Sequence, residues 1–373
     1  MSNNVKATVI NENNIYEIPV ARSCIELISN TIAALPIKLY EEKDGKVVEK
    51  LDDNRIFLLN DEPEELLDGF QFKKNMIKDY LIHGQSYAYI NMEKNSVKSI
   101  HYVDKSYIVP MVNNNPIAKD ARININGISY ETYNFISMLN NSKDGVSGTG
   151  VIINNQKLLS TAYHMLLHNN NIAITGGASR GIITMSKKVS DEVILKIKQA
   201  WTRLYQGNNE MVVLNDGMDY KQVSSNTRDM QFVELNEAID KQIAGIFNIP
   251  FNLIIGKGSN DDYEFFLKNV INPILKILEA SLNKNLLLDK EKGKLFFSFD
   301  TKELSKVDIE KRYKAYEIAL KNCWMSPNEI RFIENLDNVE GLDFFRMNLA
   351  DVLFNPKDGS IYTPNTKESI KIN

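Results

Sequence analysis

Pro250 constrains the fold of this chain most strongly, because it stands between two apolar patterns of helical period. Before it, apolar side chains recur at three- and four-residue steps, which is typical of one face of an amphipathic helix. That face consists of Phe232, Leu235, Ile239, Ile243, Ile246 and Phe247. Since proline lacks an N–H and disfavours the α region for the preceding residue, we expect the helix to end by Ile249. A loop containing glycine should follow, from Gly256 to Tyr263.

A second, longer helix is predicted after that loop. Its inward-facing positions are Phe266, Val270, Ile274, Ile277, Leu278, Ser281, Leu282 and Leu286. Pro273 interrupts this pattern, and two outcomes are open. Either the helix kinks at the proline, or Asn272 caps a new helix that begins with it. In both cases a long helix follows a mobile loop.

Composition favours a globular protein whose binding does not depend on neutralising phosphates. With 373 residues, of which 43% are hydrophobic and 25% charged, the chain is long enough for two or three domains. Its formal net charge of -4 at pH 7 lacks the basic excess expected of a DNA clamp. The same charge is compatible with a channel wall along which a duplex slides.

The sequence carries no signal for secretion or membrane insertion. The N-terminus has no basic segment followed by an apolar run, and no stretch reaches the ~18 apolar residues of a spanning helix. Cys24 and Cys323 lie far apart on apolar helical patterns. We therefore expect buried free thiols in a reducing compartment and no disulfide.

Before the central segment, helices and strands are mixed. A helix over Pro19 to Leu35 precedes a hairpin with its turn at Asp44-Gly45, and a helix over Phe70 to His83 precedes the strand in GQSYAYINME. Short β-prone runs follow up to Ile136. This mixture predicts an α+β domain.

A small α/β insert is predicted between two helices. The first helix carries a stripe from Leu158 to Leu167 and should reach Thr175. The insert then contains a strand over Gly181 to Met185 and a helix capped by Ser190. Two further strands are expected over Glu210 to Leu214 and Tyr220 to Val223.

After the long helix, Ser326-Pro327-Asn328-Glu329 forms a capping box with proline at the first helical position, which indicates a helix start. The last residues, Asn355 to Asn373, lack apolar periodicity, so we expect them to be disordered.

Several of these phrases together resemble one family, the phage portal proteins of the HK97 type. The phrases are DMQFVE (Asp229 to Glu234), IAGIFNIPFNLIIG (Ile243 to Gly256), NPIL (Asn272 to Leu275), ISNTIAALPIKLYE (Ile28 to Glu41) and MSPNEIR (Met325 to Arg331). They occur in the family's order and cover roughly residues 15 to 350, which is more specific than any single short motif.

The resemblance implies a portal fold of the α+β class. Its expected parts are an N-terminal wing (1–153), a stem helix (154–175), a small α/β clip (176–226), a second stem helix (227–250), a tunnel loop with the long wing helix (251–301), a helical crown (302–354) and the disordered tail (355–373).

The resemblance also implies the function. A portal is a ring of about twelve subunits at one capsid vertex, and such a ring needs two different complementary faces on each subunit. It is the channel for packaging and ejecting double-stranded DNA, and it docks the large terminase subunit and the head-tail adaptor beside the major capsid protein. We thus expect a homo-oligomer located in the virion, and in the host cytoplasm during assembly, with no membrane partner, cofactor, metal or enzymatic activity.

Two sets of site residues follow from the resemblance. The first is the tunnel loop that approaches DNA: Gly256, Lys257, Gly258, Ser259, Asn260, Asp261, Asp262 and Tyr263, with Lys268 after it. The kink near Asn272-Pro273 is an alternative location. The second set is the clip surface that contacts partners, with Lys187, Lys188, Trp201 and Tyr205. For the two lysines a solvated turn is the alternative, and for the two aromatic residues a place in the clip core.

Chemistry-bearing motifs are incomplete. Lys257 is followed by Gly258, and no glycine stands five positions before Gly256, so no P-loop is present. His164 and His168 have the spacing of two zinc ligands, but the glutamate of the H-E-x-x-H motif is missing. Asp261, Asp262 and Glu264 match acidic residues in a first helical turn better than a hydrolytic cluster. The alternatives are therefore another phage head-tail protein or, less favoured, a metal-dependent nucleic-acid-processing enzyme.

Overall fold

The computed structural model describes residues 8–43, 46–94, 96–113, 115, 117, 119–174, 182–185, 190–206, 218–221, 226–301, 309–334, 336–347, 352–355, 357, 359–363 and 368–371. The chain divides into two compact units, and the division falls between Asp300 and Thr301.

Helices and strands alternate along both units. The helices are α1 (Glu12–Glu17), α2 (Pro19–Ala33), α3 (Asn54–Asn60), α4 (Gly69–His83), α5 (Val151–Asn154), α6 (Gln156–Ile174), α7 (Asp191–Gln206), α8 (Asn226–Ile246), α9 (Phe251–Ile254), α10 (Asn260–Phe266), α11 (Asn272–Asn285), α12 (Ile309–Lys321) and α13 (Pro327–Ile333). The strands are β1 (Ile37–Lys43), β2 (Lys46–Glu49), β3 (Gln85–Glu93), β4 (Ser96–Val103), β5 (Ile108–Val112), β6 (Ala121–Ile125), β7 (Ile128–Glu131), β8 (Phe135–Leu139), β9 (Ile182–Met185), β10 (Met218–Lys221), β11 (Leu295–Phe299), β12 (Phe345–Met347), β13 (Val352–Asn355), β14 (Ser360–Thr363) and β15 (Glu368–Lys371).

Small antiparallel sheets make up the β structure of the first unit. Their strand orders are β11-β1-β2, β4-β3-β8, β5-β6-β7 and β10-β9. The predicted hairpin is confirmed by its register, in which Lys43 pairs with Lys46; the turn itself, at 44–45, lies outside the described residues. The strand predicted over 210–214 also lies outside them.

Helices α2 and α4 form the centre of the first unit. Both have the lengths that periodicity predicts, and they pack on each other, while α4 also packs on β3. Cys24 and Ile25 on α2 are fully buried. Burial raises the pKa of the Cys24 thiol to about 12, so the thiol is held protonated. Neither Cys24 nor Cys323 forms a disulfide, as expected, but Cys323 is only half-buried.

The long helix α11 lies between two sheet edges. Strand β11 is the edge of one sheet and β8 is the edge of another, and α11 packs against both. An exposed strand edge presents unpaired N–H and C=O groups, which a helix can cover. Polar side chains on α11 supply the partners: Asn283 and Glu279 face β11, and Ser281 and Asn285 face β8.

Asn283 pairs with β11 as a neighbouring strand would. Its Oδ1 accepts from the Phe297 N–H at 2.6 Å, and its Nδ2 donates to the Phe297 carbonyl at 3.2 Å. One turn earlier, Glu279 Oε1 accepts from the Phe299 N–H at 2.9 Å. On the β8 side, Ser281 Oγ accepts from the Ser137 N–H at 2.9 Å. Helix α11 thus supplies hydrogen-bond partners to backbone groups of both edge strands.

A close backbone crossing joins the end of α4 to the segment before α5. Gly84 ends α4 with φ 78°, a left-handed conformation that favours glycine. A Cβ on Gly150 would lie 2.2 Å from the Ile82 carbonyl oxygen, and one on Gly148 would lie 2.0 Å from that of Gly84. No side chain fits at these two positions.

The second unit is less helical than predicted. The capping box at Ser326 is confirmed, because Ser326 Oγ accepts from the Glu329 N–H and Glu329 accepts from the Ser326 N–H. After α13, however, the chain forms the antiparallel sheet β12-β13-β14-β15. The expectation of disorder over Asn355 to Asn373 is therefore wrong for the described residues. Its apolar residues, such as Ile361 and Ile370, pair across short strands that are too brief for a period to be recognised.

We predict that Asn283→Ala destabilises the first unit by roughly 1–3 kcal/mol, because it leaves both backbone groups of Phe297 without their partner. Urea unfolding followed by circular dichroism measures the change. Lys284→Ala is the matched control, since Lys284 is the next residue on α11 and is exposed. Equal stability of the two variants would contradict the role given to Asn283.

Candidate functional site

The candidate site is the segment from α8 to α11. The C-terminal half of α8 is anchored, with Ile243 fully buried and Ile239 6% exposed. Its N-terminal half packs on α6, where the rings of Phe232 and His168 lie 5.0 Å apart. Leu235 was expected on the buried face but is 51% exposed, so the apolar stripe does not face one continuous core.

Asn248, two residues before Pro250, forms the C-terminal cap of α8. It has φ 55°, and the Ile249 N–H donates to the Ala244 carbonyl at 3.0 Å, as in a Schellman cap. Helix α8 ends at Ile246, which agrees with the predicted limit of Ile249. The short helix α9 then starts directly after Pro250, an element that periodicity did not indicate.

The exposed loop between α9 and α10 is shorter than predicted. Gly256 has φ 72°, and the Lys257 N–H donates to the Asn252 carbonyl at 2.8 Å, so the turn folds back on α9. The residues from Ile255 to Asp261 are all exposed. The expected loop included Asn260 to Tyr263, but these residues form the first turn of α10.

A capping box fixes the start of α10. Ser259 Oγ accepts from the Asp262 N–H at 3.1 Å, and Asp262 Oδ2 accepts from the Ser259 N–H at 3.0 Å. The backbone N–H and the hydroxyl of Ser259 both lower the pKa of Asp262, because they donate to its charged form. The loop is thus exposed but ends at a defined helical cap.

A π-helical turn over Leu267–Ile271 joins α10 to α11. Its signature is the Asn272 N–H, which donates to the Leu267 carbonyl five residues back. Asn269 Nδ2 donates to the Phe265 carbonyl at 3.0 Å. The wider turn accommodates Pro273, which has no N–H to donate. Asn272 is itself helical, so of the two predicted outcomes the irregular continuous helix is observed, and the new helix capped by Asn272 is wrong.

Both cations of the predicted tunnel loop are exposed. Lys257 lies in the loop and Lys268 in the π turn, while Phe266 between them is fully buried. Asp262 is engaged in the cap described above. Within the described residues, side-chain ligand atoms converge in groups of three or more only at Glu12, Asp79 and His83, so Asp261, Asp262 and Glu264 do not form such a group.

Of the four predicted clip residues, only Trp201 and Tyr205 fall on a described element. Lys187 and Lys188 lie outside the described residues, and Trp201 and Tyr205 lie on α7, but the structure does not describe their side chains. His164 is described: its Nε2 lies 3.2 Å from the Thr8 hydroxyl.

Residues 19–335 match the sequence profile of the phage portal protein family. The chain belongs to this family. The portal protein of Escherichia phage T5 is 26% identical over 314 residues, which cover 78% of this chain and 72% of that protein. The portal protein of Enterobacteria phage HK97 is 19% identical over 349 residues, which cover 90% of this chain and 82% of that protein.

Two solved structures share the fold. An HK97-family phage portal protein from Corynebacterium diphtheriae superposes with a TM-score of 0.62 at 15% identity, covering 80% of this chain and 98% of that one. A chain from the neck of a native gene transfer agent particle, computed with C12 symmetry, gives 0.58 at 16% identity and covers 86% and 91%. The predicted α+β portal fold is confirmed. Portal proteins are structural, and a DNA channel is their typical role.

No helix in the described part of the chain is both long and apolar enough to cross a membrane.

We predict that Ser259→Ala costs about 1 kcal/mol of local stability in α10, because it removes the acceptor for the Asp262 N–H. Hydrogen exchange of the α10 amides should then be about fivefold faster. Lys257→Ala, which removes an exposed side chain outside the cap, should leave that exchange unchanged. Unchanged exchange in Ser259→Ala would show that the cap does not hold α10.

Proposed function

We propose that this portal protein forms a closed ring of about twelve copies that serves as the channel for double-stranded DNA at one vertex of a phage capsid. The supporting observation is the match of residues 19–335 to the portal family, together with the fold shared with a neck chain of C12 symmetry. In the ring, the segment from Ile255 to Lys268 faces the duplex with its exposed side chains, while Phe266 stays buried within the subunit.

The charge of this segment favours sliding of the DNA duplex over tight binding of it. It carries two lysines and three carboxylates, Asp261, Asp262 and Glu264, and is therefore mixed with a slight negative excess. Tight binding of DNA requires several cations that neutralise phosphates and release counterions. A mixed wall leaves the duplex free to move, while Lys257 and Lys268 contact phosphates only transiently.

The partners and domain roles are part of the proposal. Residues 176–226 form the clip, where Lys187, Lys188, Trp201 and Tyr205 contact the large terminase subunit and later the head-tail adaptor. The wing, residues 1–153, faces the major capsid protein. Assembly takes place in the host cytoplasm, and the finished ring resides in the virion.

Imaging of the purified chain by negative-stain microscopy, combined with its mass in solution, tests the ring. We expect rings with a central hole wide enough for a duplex and a mass about twelve times 42.6 kDa. A chain that stays monomeric at high concentration and in the presence of its capsid protein would refute the proposal.

Deletion of Gly258 to Asp261 tests the tunnel loop. The deletion removes the cap and the first two residues of α10 but no buried side chain, so we expect rings to form and enter capsids, while the particles contain no DNA. Lys257→Glu should lower the packaged amount, because it adds negative charge beside the phosphates. Lys290→Glu, a matched change at an exposed lysine after α11, should not. Normal packaging by the deletion variant would place the channel wall elsewhere.

A further inference from the structure

Three potential metal ligands from distant parts of the sequence meet at one place in the first unit. Glu12 lies in the first turn of α1, and Asp79 and His83 lie four residues apart on α4. One ligand atom of each residue lies within 4.8 Å of the other two. Residues four apart share a helix face, so Asp79 and His83 point to the same side of α4.

One of the three separations already suits a small ion. His83 Nε2 and Glu12 Oε2 are 3.3 Å apart. Tetrahedral zinc, with bonds of about 2.0–2.1 Å, places its ligand atoms about 3.4 Å from each other. The side chain of His83 is 27% exposed and that of Glu12 is 53% exposed, so an ion can enter from solvent.

Asp79 is a buried carboxylate that forms no ion pair among the described residues, although the Lys105 backbone N–H donates to it. It is 6% exposed, and the Tyr102 hydroxyl donates to its Oδ2 at 2.8 Å. The charged groups that act on it most are negative, Asp104 and Glu12. Lys105 is close, but its ammonium group donates to the Ile108 carbonyl at 3.1 Å. A buried carboxylate that keeps its charge is paired with a cation or coordinates a metal.

We propose that Glu12, Asp79 and His83 bind one divalent transition-metal ion, with zinc as the best fit. An imidazole with two carboxylates favours zinc, cobalt or manganese over magnesium and calcium, which prefer oxygen ligands only. Water completes the coordination. Tyr102 is a positioning residue that orients Asp79, as outer-shell donors commonly do for ligating carboxylates.

A metal bound at this site would link α1 to the end of α4. Helix α1 has six residues and one buried side chain, Ile15, so its own packing is small. A metal that binds the folded chain but not the unfolded one stabilises the folded state by mass action. The metal would therefore hold the N-terminal helix in place, independently of ring formation.

The test uses the full chain after dialysis against a chelator. Calorimetric titration should show one Zn²⁺ bound per chain and no saturable heat with Mg²⁺. Co²⁺ should give the visible absorption of a site with nitrogen and oxygen ligands. Glu12→Gln and His83→Gln should each weaken Zn²⁺ binding at least about tenfold, and Tyr102→Phe roughly ten- to a hundredfold. Circular dichroism establishes whether each variant folds. If His83→Gln does not fold, the result for Glu12→Gln, at an exposed position, decides the test.

Two of the other histidines provide matched controls. His101 forms a pair with Glu64 at 2.8 Å, without a third ligand among the described residues, and His168 lies on the stem helix α6. His101→Gln and His168→Gln should leave the affinity for Zn²⁺ unchanged. Wild-type affinity in both Glu12→Gln and His83→Gln, or a loss that appears only in the controls, would overturn the proposal.

Discussion

A carboxamide side chain holds a donor and an acceptor side by side, so it can pair with both backbone groups of one residue as a neighbouring strand does. Among the described residues, this pairing occurs at four places: Asn60 with Ile37, Gln156 with Ile10, Asn283 with Phe297, and Asn328 with Val339. Each pair joins a helical residue to a segment outside that helix. An alanine at any of these helical positions would leave a donor and an acceptor without partners, which costs more than the loss of one average hydrogen bond.

These attachments explain why the exposed loop between α9 and α10, for which we propose contact with DNA, is still well defined. Helix α11 is fixed to the edges of two sheets by side chains along its length. Because the π turn joins α10 to α11 without a break in the helix, α10 takes its orientation from α11. Phe266, at the end of α10, is fully buried and anchors this junction. The capping box at Ser259 then leaves only a few residues without regular structure. A rigid frame with a short exposed loop is the arrangement by which many proteins position their contact residues.

Much of the fold could be predicted from periodicity. The apolar spacing of α2, α4, α6 and α11 is long and regular, and the proline and glycine signals placed their ends within a few residues. The resemblance to portal proteins supplied the architecture, which the comparisons confirm, whereas its assignment of residues to stem, clip and crown stays a prediction. The C-terminal sheet was missed because strands of three or four residues carry no readable period. The group formed by Glu12, Asp79 and His83 was missed because Glu12 is brought to α4 by tertiary packing, which no local pattern records.

The carboxamide pairs also matter for the chemical stability of the protein against deamidation. Asparagine is chemically labile, and hydrolysis of its side chain replaces the amide nitrogen with a second oxygen. At Asn283 that oxygen would face the Phe297 carbonyl, so an attraction would become a repulsion between two acceptors. Deamidation usually begins with attack by the following backbone nitrogen, and a helical backbone keeps that nitrogen out of reach. Placing these asparagines within helices therefore protects the hydrogen bonds that join the helices to their neighbouring segments.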